Sequence, residues 1–142
     1  MDNNIYNSDN GFMTSVWGPP MWFSLHMISF NYPVKPTQKN KNDYYEFIIG
    51  LINILPCGAC RKNMKTNMQN MKFTKKHSLK NRDNFSKWVY DLHEEINKML
   101  NKPSTHSYEE IRHIYGMFRA NCNKSIVRGI ENGCTIPTNN VK

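Results

Sequence analysis

Apolar side chains recur at three- and four-residue steps along most of this chain, the period of a helix with one face turned to a core. Trp22, Leu25, His26 and Ser29 share related faces of a first helix. Pro19 and Pro20 are expected to open it, because a missing amide hydrogen costs nothing in a first turn, and Pro33 to close it. A second helix is expected from about Asp43, with Tyr44, Phe47, Ile48, Leu51, Ile52 and Leu55 on its inner face. Pro56 interrupts that pattern and can open a third helix, from Cys57 to about Met71. The clearest stripe is Phe85, Val89, Leu92, Ile96, Met99 and Leu100, with Asn81 or Asp83 as a cap and Pro103 beyond its end. Ser107-Tyr108-Glu109-Glu110 is a capping box for a fifth helix carrying Ile111, Ile114, Tyr115 and Phe118. No segment alternates as a strand does and no repeat is visible, so the chain reads as an all-α bundle.

Composition changes this picture little. The 142 residues suffice for one domain with a core. Residues 1–15 are polar and aperiodic and are expected to form a flexible tail. A domain over 16–121 and a C-terminal extension over 122–142 with two Cys complete the division. The net charge of +8 comes from Lys residues scattered among Asn rather than gathered on one face, so no specific nucleic-acid footprint is expected. Four Cys are too few for a disulfide-dense secreted scaffold. The N-terminal residues lack the basic-then-apolar pattern of a secretory signal, and no apolar run reaches the roughly 18 residues that span a bilayer. A soluble, cytoplasmic protein is expected.

The chemistry concentrates at Pro56-Cys57-Gly58-Ala59-Cys60. Two thiols at this spacing can close into a small reversible disulfide, and a helix N-terminus lowers a Cys pKa toward the reactive thiolate. A zinc site would need a second ligand pair at short spacing, whereas Cys122 and Cys134 have eleven residues between them. A purely structural disulfide would close too short a loop to stabilise the chain much. A thioredoxin-like domain uses the same spacing but within a βαβ pattern, which is absent here. No metal is expected, and redox exchange is the reading that remains.

Trp22 and His26 lie one turn apart, as do His93 and Asn97. Each alone is more often a core or surface residue. Together with Trp88 they are what a large planar cofactor would need between helices: rings to stack on, and edges to hydrogen-bond. Lys98 and Lys102, near the end of their helix, could meet phosphates or simply be solvated. A helical dithiol beside such a site points to a flavin as electron acceptor.

The spacing Gly18-x-x-x-Trp22-x-x-x-His26, then Pro56-Cys57-x-x-Cys60, then Trp88-x-x-x-x-His93-x-x-x-Asn97 with Leu100 and Lys102, resembles the Erv/ALR family of FAD-linked sulfhydryl oxidases. It looks most like the forms carried by large cytoplasmic DNA viruses. The resemblance covers roughly Trp17 to Tyr115 and implies a four-helix bundle plus a short fifth helix, with FAD held non-covalently at the bundle mouth. By that likeness Cys60 would be the flavin-proximal thiol and Cys57 the interchange thiol. Trp22, His26, Trp88, His93 and Asn97 would line the cofactor, with Gly18 allowing close backbone approach and Lys102 and Tyr115 as further contacts. Thiol-bearing protein substrates, a thioredoxin-like carrier among them, molecular oxygen as acceptor, a homodimer, and a host-cytoplasm or virion setting are also implied.

The chain departs from the family pattern in places. Asp91 and Glu94 stand where many members have His and Asn, and Tyr90 where a Cys is common. Cys122 is thereby left without an obvious mate, so Cys122 and Cys134 keep three roles open: a staple, an electron shuttle, or free thiols. The competing function is a small basic helical binding module with a zinc or structural thiol site.

Overall fold

The computed structural model describes residues 3–120, and among these the only regular structure is helical. A single turn, α1 (Asn3–Tyr6), precedes five longer helices: α2 (Thr14–Asn31), α3 (Gln38–Ile54), α4 (Gly58–Asn70), α5 (Arg82–Met99) and α6 (Tyr108–Met117). Helices α2 to α5 form the bundle, with α2 packed along α5, α4 against both α3 and α5, and α6 laid on α2. The expected all-α architecture, a bundle of four with a short further helix, is what the chain adopts.

Two helices begin earlier than their apolar pattern indicates. Pro19 and Pro20 lie inside α2 rather than in its first turn. Proline cannot donate to the carbonyl four residues back, but the residues so deprived, Ser15 and Val16, are exposed and water can satisfy them. Helix α3 starts at Gln38, not Asp43, because Thr37 and Asn40 build a reciprocal cap: Asn40 N–H donates to Thr37 Oγ1 at 3.1 Å, and Thr37 N–H to Asn40 Oδ1 at 2.9 Å. An Asn in place of the usual Glu or Gln hides this box from a pattern reading. The other caps follow expectation. Asn81 Oδ1 accepts from Asn84 N–H at 2.9 Å, and Ser107 and Glu110 complete the box of α6.

The core gathers Leu25, Ile48, Ile52, Met68, Phe85, Trp88, Val89 and Leu92 from the four bundle helices. The stripe of α5 is buried through Leu92 and then runs out, leaving Met99 and Leu100 exposed. Phe47, on the expected inner face of α3, is also exposed. Residues outside the helices complete the core: Tyr32 and Leu79 have no solvent exposure, and the Tyr32 hydroxyl donates to the Leu79 carbonyl at 2.8 Å. Arg82 Nε donates to the Tyr32 carbonyl at 2.7 Å, closing the same junction.

Three contacts dock α6. The Ser86 and Tyr108 hydroxyls lie 2.9 Å apart, the Tyr90 hydroxyl donates to the His106 carbonyl at 2.8 Å, and Arg119 donates to the Phe30 carbonyl. Tyr90 therefore ties the α5–α6 connection by a hydrogen bond. The N-terminal tail expected through Ser15 ends earlier. Helix α2 takes up Thr14, and the Phe12 N–H donates to the Pro56 carbonyl at 2.8 Å. The extension over 122–142, with Cys122 and Cys134, lies outside the described residues. Among the described residues, no helix is long and apolar enough to cross a membrane.

Candidate functional site

Cys57 caps α4 from an extended backbone (φ −161°), because Pro56 cannot continue the preceding helix. Its Sγ accepts from the Cys60 N–H at 3.2 Å and is joined to Cys60 Sγ in a disulfide. Both cysteines are half-buried rather than sealed in the core. Such a pair at a helix N-terminus is suited to exchange: the unpaired amides and the positive end of the helix favour thiolate over thiol. A zinc site would need both sulfurs as free thiolates, whereas here they are bonded to each other.

A second centre lies between α2, α5 and α6. His26 Nε2 and His93 Nδ1 are 2.9 Å apart. The Trp22 indole stacks on the His93 imidazole with centroids 4.1 Å apart and planes within 5°. Tyr115 closes the other side of His26, its ring centroid 5.5 Å away, and also stacks on Phe30 at 5.4 Å. Burial pushes the His26 pKa down to about 4, with the neighbouring His93 adding to the shift. Burial also lowers His93, where Glu94 opposes the shift and Lys102 reinforces it. Both rings are therefore neutral at pH 7. Desolvation raises the Tyr115 phenol.

Four of the residues singled out from the sequence, Trp22, His26, His93 and Tyr115, thus meet in one cluster. Trp88 stands apart from it, buried in the core against Phe73 with ring centroids 4.3 Å apart. Asn97 Nδ2 donates to Glu94 Oε1 at 3.2 Å, so the residue that departs from the family pattern holds the side chain that follows it. Asp91 pairs with Lys87 on the outer side of α5. The Lys102 N–H closes on the Asn97 carbonyl at 2.9 Å, and its side chain is exposed. A Cβ added at Gly18 would meet nothing within 4 Å, so the protein's own atoms do not require glycine there. Two buried ring nitrogens, His26 Nδ1 and Trp88 Nε1, have no hydrogen-bond partner among the described residues.

Sequence reasoning missed the aromatic neighbours Phe23 and Phe30 beside Tyr115, and the contact of Gly11 and Phe12 with Pro56. The first group belonged to no spaced motif. The second sits in a stretch with no periodicity, where an isolated Gly11 was the only signal.

A reversible dithiol on a helix N-terminus, in an all-helical bundle with a buried imidazole–indole cluster, defines a helical thiol-redox protein. The Erv1 / Alr family profile matches residues 19–116, and the chain belongs to that family. It is 31% identical over 119 residues to the "FAD-linked sulfhydryl oxidase" of African swine fever virus (isolate Pig/Kenya/KEN-50/1950), covering 84% of this chain and 90% of that protein. It is 35% identical over 92 residues to "Probable FAD-linked sulfhydryl oxidase R368" of Acanthamoeba polyphaga mimivirus, covering 61% of this chain and 64% of that protein. The fold matches the crystal structure of the FAD binding domain of Erv1 from Saccharomyces cerevisiae with a TM-score of 0.65 at 22% identity, over 73% of this chain and 94% of that one.

Proposed function

We propose that this chain is an FAD-linked sulfhydryl oxidase that makes disulfides in thiol-bearing polypeptides. The observation that carries the proposal is the Cys57–Cys60 disulfide at the N-terminus of α4 in a chain of this family. The residues present also fit a flavin nucleotide. His26 Nδ1 and Trp88 Nε1 are buried ring nitrogens lacking a hydrogen-bond partner among the described residues, a state that costs about 1–3 kcal/mol for each when left unmade. Trp22, His26, His93 and Tyr115 supply a ring-lined wall. Trp22, His26, Trp88, His93 and Asn97 would hold the nucleotide, with Gly18, Lys102 and Tyr115 as further contacts.

Cys57 is the interchange thiol in this reading. A substrate thiolate attacks Cys57 Sγ, a mixed disulfide forms, and the Cys57–Cys60 bond breaks to leave Cys60 as thiolate. A second substrate thiolate then attacks its own sulfur in the mixed disulfide, which forms the substrate disulfide and frees Cys57. The helix N-terminus lowers the cost of the anions formed at this end of α4. Bound FAD supplies acceptance of the electron pair that the dithiol gives up on re-forming its disulfide, and delivery of that pair to oxygen as hydrogen peroxide. The His26–His93 pair, neutral and shielded from water, would present a ring nitrogen without bringing charge.

Finer features accompany the reading. Exposed Val16, Phe23 and Met27 on α2, with Phe47 and Ile54 on α3, offer apolar surface for a homodimer. A thioredoxin-like carrier would be a suitable substrate, because a half-buried disulfide on a helix end is open to another protein. A host-cytoplasm or virion setting would fit the viral origin of these relatives. The deciding experiment is the absorption spectrum of the purified protein, expected to be that of a bound flavin, with a Cys60→Ser variant that stays yellow and no longer oxidises thiols. A colourless protein that retains no FAD after incubation and desalting overturns the proposal.

A further inference from the structure

We infer that the segment before α2 is a strap that positions the Pro56–Cys57 backbone, with Gly11, Phe12 and Trp17 as positioning residues for the thiol-exchange step. This rests on the reading of Cys57 as the interchange thiol. Gly11 takes a left-handed backbone (φ +77°), where L side chains are rarely found. A Cβ at that position would lie 2.6 Å from the Pro56 carbonyl oxygen, 3.3 Å from its carbon and 3.5 Å from Cys57 Cα. All three are backbone atoms that cannot turn aside. Glycine is therefore required for the chain to pass this close to the residue that caps α4.

The contact is fastened on both sides. The Phe12 N–H donates to the Pro56 carbonyl at 2.8 Å, and the Trp17 indole N–H donates to the Phe12 carbonyl at 3.1 Å, anchoring the strap on the first turns of α2. On the other side of Pro56, the Cys57 N–H closes on the Leu55 carbonyl at 2.8 Å. The Pro56–Cys57 peptide is thus held from two directions. Cys57 stays in the extended conformation that lets its Sγ accept the Cys60 N–H. In the reduced protein the same geometry directs the Cys57 thiolate at the amide end of α4, which favours the anion and so the reduced pair. A loosened strap frees the Cys57 backbone, removes that cap from the thiolate, and makes the pair a weaker oxidant.

The test uses the full chain as purified, with Gly11→Ala, Trp17→Phe and a control, Gly50→Ala, whose new Cβ meets nothing within 4 Å. Peptide-resolved alkylation across pH reads the Cys57 thiolate. Glutathione equilibration reads the Cys57–Cys60 couple. Neither needs flavin or oxygen, so a chain that fails to hold FAD sinks the oxidase reading without deciding this one. For Gly11→Ala the thiolate fraction at pH 7 is expected to fall about three-fold, through a higher Cys57 pKa. Its oxidation equilibrium should move about ten-fold, or ~30 mV, toward the disulfide. Trp17→Phe should move both readouts in the same direction by less, and Gly50→Ala neither. If Gly11→Ala does not fold, Trp17→Phe alone decides. An unchanged alkylation profile and an unchanged couple in the folded strap variants overturn the inference.

Discussion

His26 Nε2 and His93 Nδ1 face one another at 2.9 Å, so one nitrogen donates the proton and the other accepts it. Protonating both rings would set two donors against each other in a buried space. The direction of the pKa shifts follows: burial holds His26 down at about 4 and lowers His93. Between roughly pH 6.5 and 4 the unfolded chain binds protons at these positions that the folded chain does not, so stability falls with falling pH across that window and is fully present above it. From His26 alone, about 2 kcal/mol should be lost between pH 7.5 and pH 5. Urea unfolding at the two pH values measures it, and His26→Asn should flatten the difference. A parent protein equally stable at both would contradict a buried neutral pair.

Trp88 carries the other buried nitrogen without a hydrogen-bond partner among the described residues. Packed against Phe73 in the core, Trp88 changed to Phe leaves a small void but also removes the unpartnered indole N–H, and the two effects oppose each other. Trp88→Phe should therefore leave the unfolding midpoint of the flavin-free protein nearly unchanged. If the indole N–H addresses the flavin, the same change removes one hydrogen bond and weakens FAD retention about ten-fold. Fluorescence titration with FAD measures the loss. An unchanged affinity would return Trp88 to the core and remove it from the site.

Much of this was legible in the sequence wherever one signal acted alone. The stripe of Phe85, Val89 and Leu92 fixed α5, and Ser107 with Glu110 announced α6, because periodicity and a standard cap each map onto local structure. Spacing placed Trp22 and His26 on related faces of α2, since residues one turn apart share a helix face, whereas their meeting with His93 is a contact with α5. What stayed hidden depended on distant partners. Tyr32 and Leu79 lie in connections yet are fully buried, because each completes the other's hydrogen bonding across the bundle. Pro19 and Pro20 misled through a local rule, overridden when upstream residues joined the helix at an exposed end. Gly11 could not be read at all, since the atoms that demand glycine there belong to Pro56 and Cys57.

The Tyr32–Leu79 junction should be a stability hot point. Leu79→Ala deletes a fully buried core side chain of the α4–α5 connection and is expected to cost about 2–5 kcal/mol. Tyr32→Phe keeps the volume but strands the Leu79 carbonyl, at about 1–2 kcal/mol. Chemical denaturation of the two variants checks the order. A Tyr32→Phe protein as unstable as Leu79→Ala would mean that the hydroxyl, not the packing, holds the junction.

Helix α6 should report on the imidazole pair through its cap. Ser107 Oγ accepts from the Glu110 N–H at 3.3 Å, and Glu110 returns the contact to the Ser107 N–H at 2.7 Å. Ser107→Ala removes one half of this box, worth about 1 kcal/mol, from a helix of ten residues that has little stability to spare. Its Tyr115 is the ring that closes one side of His26, so fraying of α6 lets water reach that imidazole. Because burial is the main cause of the low His26 pKa, Ser107→Ala should raise it from about 4 toward its ordinary value. NMR titration of His26, with amide exchange across α6, tests both steps together. Faster exchange in α6 with an unmoved His26 titration would show that the bundle helices alone keep the pair dry.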